Sequence, residues 1–281
     1  MGKLRRQFRE DHAEAAISIW QEALFGVELL LLHTAPVFYG LGVPHGDMSA
    51  VVLIPCFLGT DPQMTHLHDW LTRIGYRPYF SRIGVNAGCP NLLVRERLTL
   101  TIDEALAATG RKVHLIGHSL GGIIARSIAA NRPADIASVI TLASPFRGTV
   151  AHKSILRAAE SVRKEILNEH GGGVLPDCYT ARCTCEFVNS LRHKMPPSVA
   201  GTAIYTREDG VVDWRYCRSG DGESDFEVRG THVGLVFNST VYTIIANRLV
   251  QAGSRKQAIS AAHVLRAVQG RNQASTVLSS R

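Results

Sequence analysis

The 281-residue sequence predicts an α/β class: one mostly parallel sheet with helices on both faces and an inserted helical cap. Three observations carry this. Short β-branched apolar runs alternate with helix-length segments between residues 49 and 143, the rhythm of βαβ units. Apolar residues make up 45% of the chain, enough to bury a sheet on both faces. The rhythm breaks after Thr149 and strand character returns near residue 201, which marks 150–198 as an insertion.

Taken in order, residues 49–55 (SAVVLIP) form a buried strand between turn signals, and 64–74 a helix stopped by Gly75. A second strand follows at 76–82. A Gly-, Asn- and Pro-containing loop at 84–91 leads to a longer helix at 92–108, which ends at Gly110. Strands at 113–116 and 136–143 flank a helix at 121–131. Within the insertion, 152–169 is helical and the run Gly171-Gly172-Gly173 breaks it. Strands at 201–206 and 226–229 and a closing helix at 238–251 complete the domain. Three units result: an N-terminal helical segment (1–48), the main domain (49–252) with its lid at about 150–198, and an appendage (253–281) with helical character near 258–268.

The first thirty residues have a basic start before a Leu-rich stretch, but Glu10, Asp11, Glu14, Glu22 and Glu28 interrupt it and no small-residue cleavage site follows. Neither a signal peptide nor a membrane-spanning run is expected, and of the open locations the cytoplasm is the favoured one. Instead Ile17, Trp20, Leu24, Val27 and Leu31 make the stripe of an amphipathic helix, ended by Pro36 and expected to pack on its own domain.

The net charge of +7 is gathered at the two ends, in Lys3, Arg5, Arg6 and Arg9 and in Arg255, Lys256, Arg266, Arg271 and Arg281. Solvated termini are the expectation, with no nucleic-acid partner; weak contact with an anionic membrane surface is the lesser reading. Six cysteines are too sparse for a disulfide scaffold. Cys178, Cys183 and Cys185 lack the CxxC knuckle of a zinc site, so neither metal nor cofactor is expected. Ordinary thiols are the first expectation, and a Cys185–Cys217 disulfide the second.

Chemistry concentrates at Gly117-His118-Ser119-Leu120-Gly121, a G-x-S-x-G pentapeptide. The pattern alone is common, but here it follows an apolar strand and opens a helix, the setting of a nucleophile elbow. A serine hydroxyl needs a base to take its proton, and a third group must orient that base. In chain order an acid and then a histidine should follow. Of the downstream histidines, His152, His170 and His193 fall in the lid and His263 in the tail, whereas His232 lies in the loop after the last strand. Asp209, in a turn after a strand, is the stronger acid candidate, and Asp213 competes. Asp221 and Asp225 read as solvated turn residues. His118 and Asp213 suit supporting roles beside the site, and His114 a packing role. Backbone amides of Leu120 and Phe57 are the expected oxyanion donors.

Four segments together resemble bacterial lipases and esterases of the α/β-hydrolase superfamily: Leu53-Ile54-Pro55-Cys56-Phe57, Gly117 to Gly122, Thr141 to Thr149, and Asp209 to Trp214 with Gly230 to Leu235. The resemblance spans roughly residues 50–250 and implies the α/β-hydrolase fold with a Ser119, Asp209, His232 triad. Cys56 stands where such lipases usually have Gly, and Phe146 where many have His. Cys56 is expected to crowd the oxyanion loop.

The implied activity is that of a carboxylesterase or triacylglycerol lipase, acting on a small-molecule or lipid ester whose acyl chain the apolar insertion would bury. The same machinery serves thioesters, lactones, polyesters or acyl transfer. A non-catalytic ligand-binding homologue is the alternative from a different class. An epoxide hydrolase would carry a carboxylate at the elbow, where this chain has Ser119. Oligomeric state is not written in the sequence.

Overall fold

The computed structural model describes residues 13–253, apart from positions 221 and 223. The appendage at 254–281, with its expected helix near 258–268 and His263, lies outside the described residues, as do Asp221 and the basic N-terminal residues. The elements, in chain order, are β1 (Ala13–Glu14), α1 (Phe25–Thr34), β2 (Ala50–Ile54), α2 (Thr65–Arg73), β3 (Arg77–Phe80), α3 (Pro90–Leu93) and α4 (Thr99–Thr109). They continue with β4 (Val113–His118), α5 (Leu120–Asn131), β5 (Ile136–Leu142), β6 (Val150–Ala151), α6 (Lys153–His170), α7 (Glu186–Leu191), β7 (Ala200–Tyr205) and β8 (Asp225–Glu227). A last helix, α8, runs over 239–253.

The main sheet has six parallel strands in the order β3-β2-β4-β5-β7-β8. Alternation along β2 shows why both faces are covered. Val51 and Leu53 point into one core with Leu67, Trp70, Tyr242 and Leu249, from α2 and α8. Ala50, Val52 and Ile54 point into the other with Ile102, Ile124 and Phe187, from α4, α5 and α7. Helices on both faces of a parallel sheet make a three-layer α/β architecture, consistent with the expected α/β-hydrolase fold.

The chain first runs outward from β2 to β3 and then crosses back to β4, so strand order reverses between β2 and β4. Loops leaving the carboxyl ends of two such strands diverge to opposite faces and open a crevice. Here Ile54 lies beside Gly117 at those ends. The segments expected to supply an oxyanion donor and a nucleophile therefore leave the sheet side by side.

Three differences from expectation have physical causes. The helix expected at 92–108 starts at residue 90, passes through a π-helical turn at Val94–Leu98, and ends on Gly110 at φ 62°. Two-residue strands β1 and β6 pair with each other, and such short elements carry no readable periodicity. The third is a correction. The apolar stripe of the N-terminal segment faces outward, with Trp20, Leu24, Val27 and Leu31 53–84% exposed, and within α1 it is Leu32 that is buried. The inner face is occupied by carboxylates that backbone N–H groups require. Among the described residues no helix is long and apolar enough to cross a membrane.

Candidate functional site

Ser119 is the junction between β4 and α5, held at φ 53° and ψ −118°. Non-glycine residues seldom adopt φ in this range, and such strain costs roughly 1–3 kcal/mol. The surroundings enforce it. The Ser119 amide donates to the Leu142 carbonyl at 2.8 Å, and the Ser119 carbonyl accepts from Gly122 N at 3.0 Å. Backbone packs directly on backbone: a Cβ on Gly121 would lie 2.2 Å from the Ile54 oxygen, and one on Gly117 would lie 2.3 Å from Gly121. Only glycine lets the elbow sit this close to the end of β2.

The loop after β2 is braced from the other side by buried Asn86. Its Nδ2 donates to the Pro55 carbonyl at 2.8 Å, its backbone oxygen accepts from Leu58 N at 3.0 Å, and its amide donates to the Gly59 carbonyl at 2.8 Å. Phe57 sits between these anchors. Leu120 is the first residue of α5, so its amide has no partner within the helix and the helix dipole favours negative charge there. Cys56 also lines the cavity; burial pushes its thiol up to about 11, which keeps it neutral and non-nucleophilic.

Asp209 and His232 are both buried and meet directly. Asp209 Oδ2 accepts from His232 Nδ1 at 2.7 Å, while Oδ1 accepts the amides of Val211 and Val212, each at 2.8 Å. Burial by itself lowers the basicity of His232, but the Asp209 charge and hydrogen bond, with Glu22 beyond them, outweigh it and leave its pKa above the ordinary 6.5. The Thr206 hydroxyl ties the acid and base loops together by donating to the Gly230 carbonyl at 2.7 Å.

Asp213 stands elsewhere. It caps the turn Trp214–Tyr216 by accepting from Arg215 N at 2.9 Å and pairs with the Arg215 guanidinium. His118 does lie beside His232, with ring centroids 5.0 Å apart, and its Nε2–H donates to the His232 carbonyl at 2.9 Å. Burial and the neighbouring imidazole push His118 down to about 3, so it remains a neutral donor. His114 is engaged with the Ser138 hydroxyl at 2.7 Å inside the sheet. His152 caps α6.

Three residues at the site were not expected there from the sequence. Glu22 accepts the amides of Gly210 at 2.9 Å, His232 at 3.1 Å and Val233 at 2.8 Å. Glu28 accepts the Thr231 amide at 2.9 Å and its hydroxyl at 2.6 Å. Asn86 is the third. For the two glutamates, the available signal was their interruption of an otherwise apolar segment.

Ser119, His232, Phe57 and Leu120 all line one cavity of about 260 Å³, walled by apolar side chains from residues 150–198 such as Ile155, Leu156 and Val188. Among the described residues no group of three or more His, Cys, Asp or Glu side chains is arranged to hold a metal ion. Cys185 and Cys217 sit in different clusters, Cys185 near Cys183 and Phe187 and Cys217 with Ala151 and Tyr205, so the expected disulfide between them is not supported.

Residues 93–171 match the family model of the PGAP1-like alpha/beta domain. A triacylglycerol lipase of Pseudarthrobacter phenanthrenivorans is 49% identical over 55 residues, which is 19% of this chain and 17% of that protein. One from Vibrio cholerae is 35% identical over 105 residues, 35% of this chain and 33% of that protein. The matches therefore span a third or less of these relatives' length. The solved structure of a Bacillus licheniformis lipase superposes with a TM-score of 0.48 and 15% identity, over 74% of this chain and 94% of that one. A six-stranded parallel sheet with a strained serine at the β4–α5 junction is thus joined to local sequence similarity to triacylglycerol lipases.

Proposed function

We propose that the protein is a serine carboxylic-ester hydrolase acting on apolar acyl esters through an acyl-enzyme intermediate. One observation carries the reading: a buried imidazole, held by the Asp209 carboxylate at 2.7 Å, lines the same apolar cavity as a serine in a strained turn. In the reaction His232 takes the Ser119 proton as Oγ attacks the ester carbonyl. Asp209 fixes the imidazole with its proton on Nδ1 and stabilises the imidazolium. The amides of Phe57 and Leu120 receive the developing oxyanion. His232 then protonates the leaving alcohol, activates a water, and the acid departs.

The cavity sets the expected acyl group. Its apolar walls and volume of about 260 Å³ suit an acyl chain of medium length. The test is a nitrophenyl ester series from two to sixteen carbons, with a fluorophosphonate probe alongside. Turnover peaking at medium chains, and probe labelling at Ser119 that Ser119→Ala abolishes, is the expected result. Absence of both turnover and labelling in folded protein would sink the reading.

A further inference from the structure

Besides Cys56 in the loop after β2, four thiols gather around the wall of the cavity, and none of the four has a part in the chemistry proposed above. Cys89, Cys178 and Cys185 line it, and Cys183 is buried next to Cys185. Two of the four stand out by position. Cys89 immediately precedes the helical run that starts at Pro90 and continues through Thr109. Cys178 lies in the connection between α6 and α7, in the cap. They are 89 residues apart in sequence, yet their sulfurs are 3.2 Å apart and both are buried. That separation is about 1.2 Å longer than a disulfide bond of roughly 2.0 Å.

The two cysteines also join two functional pieces. Cys89 ends the loop that carries Asn86, the residue bracing the segment around Phe57. Cys178 precedes Tyr179, whose ring lies 6.2 Å from that of Phe57. A bond between them would tie the cap to the neighbourhood of the oxyanion loop, across the wall of the acyl cavity.

We propose that Cys89 and Cys178 form a reversible disulfide that staples the cap over the acyl cavity, closed by small disulfides of the glutathione type and opened by thiols. In the closing step the Cys89 thiolate attacks one sulfur of the small disulfide, forming a mixed disulfide and expelling one thiolate. The Cys178 thiol loses its proton, its sulfur attacks Cys89 Sγ, and the second small thiolate leaves. The protein loses two electrons and two protons, and the small disulfide becomes two thiols. Cys89 is the attacking sulfur because the contact with Cys178 and the amides of Leu92 and Asn91 hold its thiol below the usual cysteine range. Both sulfurs line the cavity, which is the side from which a small disulfide would approach them.

The experiment incubates the full chain with oxidised glutathione, blocks remaining thiols after denaturation, and maps peptides without reduction. The expected result is one linkage, joining the peptides of Cys89 and Cys178 and lost on treatment with dithiothreitol. A Cys183→Ser, Cys185→Ser double variant keeps that linkage. Oxidised protein melts roughly 5 °C higher than reduced protein, because the bond closes a loop of 89 residues. Equal alkylation of Cys89 and Cys178 with and without oxidant would overturn the proposal, as would linkage of Cys89 to Cys183 or Cys185. The cap-closing role rests on the ester-hydrolase reading. There the dodecanoate-to-butanoate ratio of kcat/KM should fall at least five-fold on oxidation and recover on reduction, and an unchanged ratio in crosslinked, active enzyme would overturn that role. The peptide map does not depend on ester cleavage, so a crosslinked protein without esterase activity counts against the function alone.

Discussion

The carboxylate of Glu22 lies over the backbone of His232, accepting its amide at 3.1 Å, and the same side chain reaches Val233 and Gly210. One side chain from the N-terminal segment thus binds the loop of the candidate base and the turn of its acid. Hydrogen bonds to charged acceptors are worth about 1.5–3 kcal/mol each, and three converge here. Glu22→Gln retains one acceptor oxygen but loses the charge and half of the acceptor capacity. It should lower kcat roughly ten-fold, by disturbing the Asp209–His232 alignment, while KM changes less than two-fold. A purely structural role would instead reduce the active fraction, which titration with fluorophosphonate measures. An unchanged kcat per labelled site removes Glu22 from the positioning apparatus.

The pH dependence follows from the same contacts. His232 acts as a base only when neutral, and its pKa in the fold lies above 6.5. The acid limb of kcat/KM should therefore fall above pH 6.5. Stability moves the opposite way: the protonated imidazole is favoured in the fold, so its contribution is complete below the unfolded value near 6.5 and disappears as pH rises through the folded value. Asp209→Asn removes the main opposition to burial, which moves the limb down and lowers kcat by about four orders of magnitude. Profiles of wild type and Asp209→Asn in one buffer series check the direction, and a limb that stays in place would refute the assignment.

The main sheet was readable in the sequence because each strand announces itself locally. Ala50–Ile54, Val113–His118 and Ile136–Leu142 are apolar runs bounded by turn residues, and six parallel strands follow from their alternation with helices. Asp209 and His232 were readable as a pair because chain order and loop position restrict the choices. The support around them was not. Glu22 and His232 are 210 residues apart, so no local pattern links them. The N-terminal stripe misled for a related reason. Residues 29–32 are all Leu, an apolar run on every side, and the inward face is decided by amides of a distant loop that need acceptors.

Backbone contact at the elbow gives a stability prediction. Gly121→Ala places a methyl group 2.2 Å from the Ile54 oxygen, a backbone atom with no side-chain freedom to retreat. Overpacking of this kind costs about 1–3 kcal/mol or more. Thermal denaturation of Gly121→Ala should show a fall of at least several degrees, together with loss of most ester hydrolysis as β2 and the elbow move apart. Wild-type Tm and activity in this variant would mean that the close approach does not hold the two loops in place.

Asn86 allows oxyanion geometry to be tested without touching an oxyanion donor. Its side chain is buried, and Nδ2 holds the Pro55 carbonyl two residues before Phe57. Asn86→Ala removes this bond but leaves the backbone bonds to Leu58 and Gly59 intact, so the loop remains attached and becomes less well placed. An amide aimed at the transition-state oxygen contributes to kcat and little to ground-state binding, because the ester carbonyl carries less charge than the oxyanion. The expected outcome is a kcat reduced ten- to a hundred-fold, on the order of 1.4–2.7 kcal/mol of barrier, with KM within a factor of two or three. Rates of inactivation by a fluorophosphonate should fall in parallel, since that reaction builds charge on the same oxygen. Were KM to rise while kcat held, Asn86 would be shaping the acyl cavity and the Phe57 amide would not be the donor it positions.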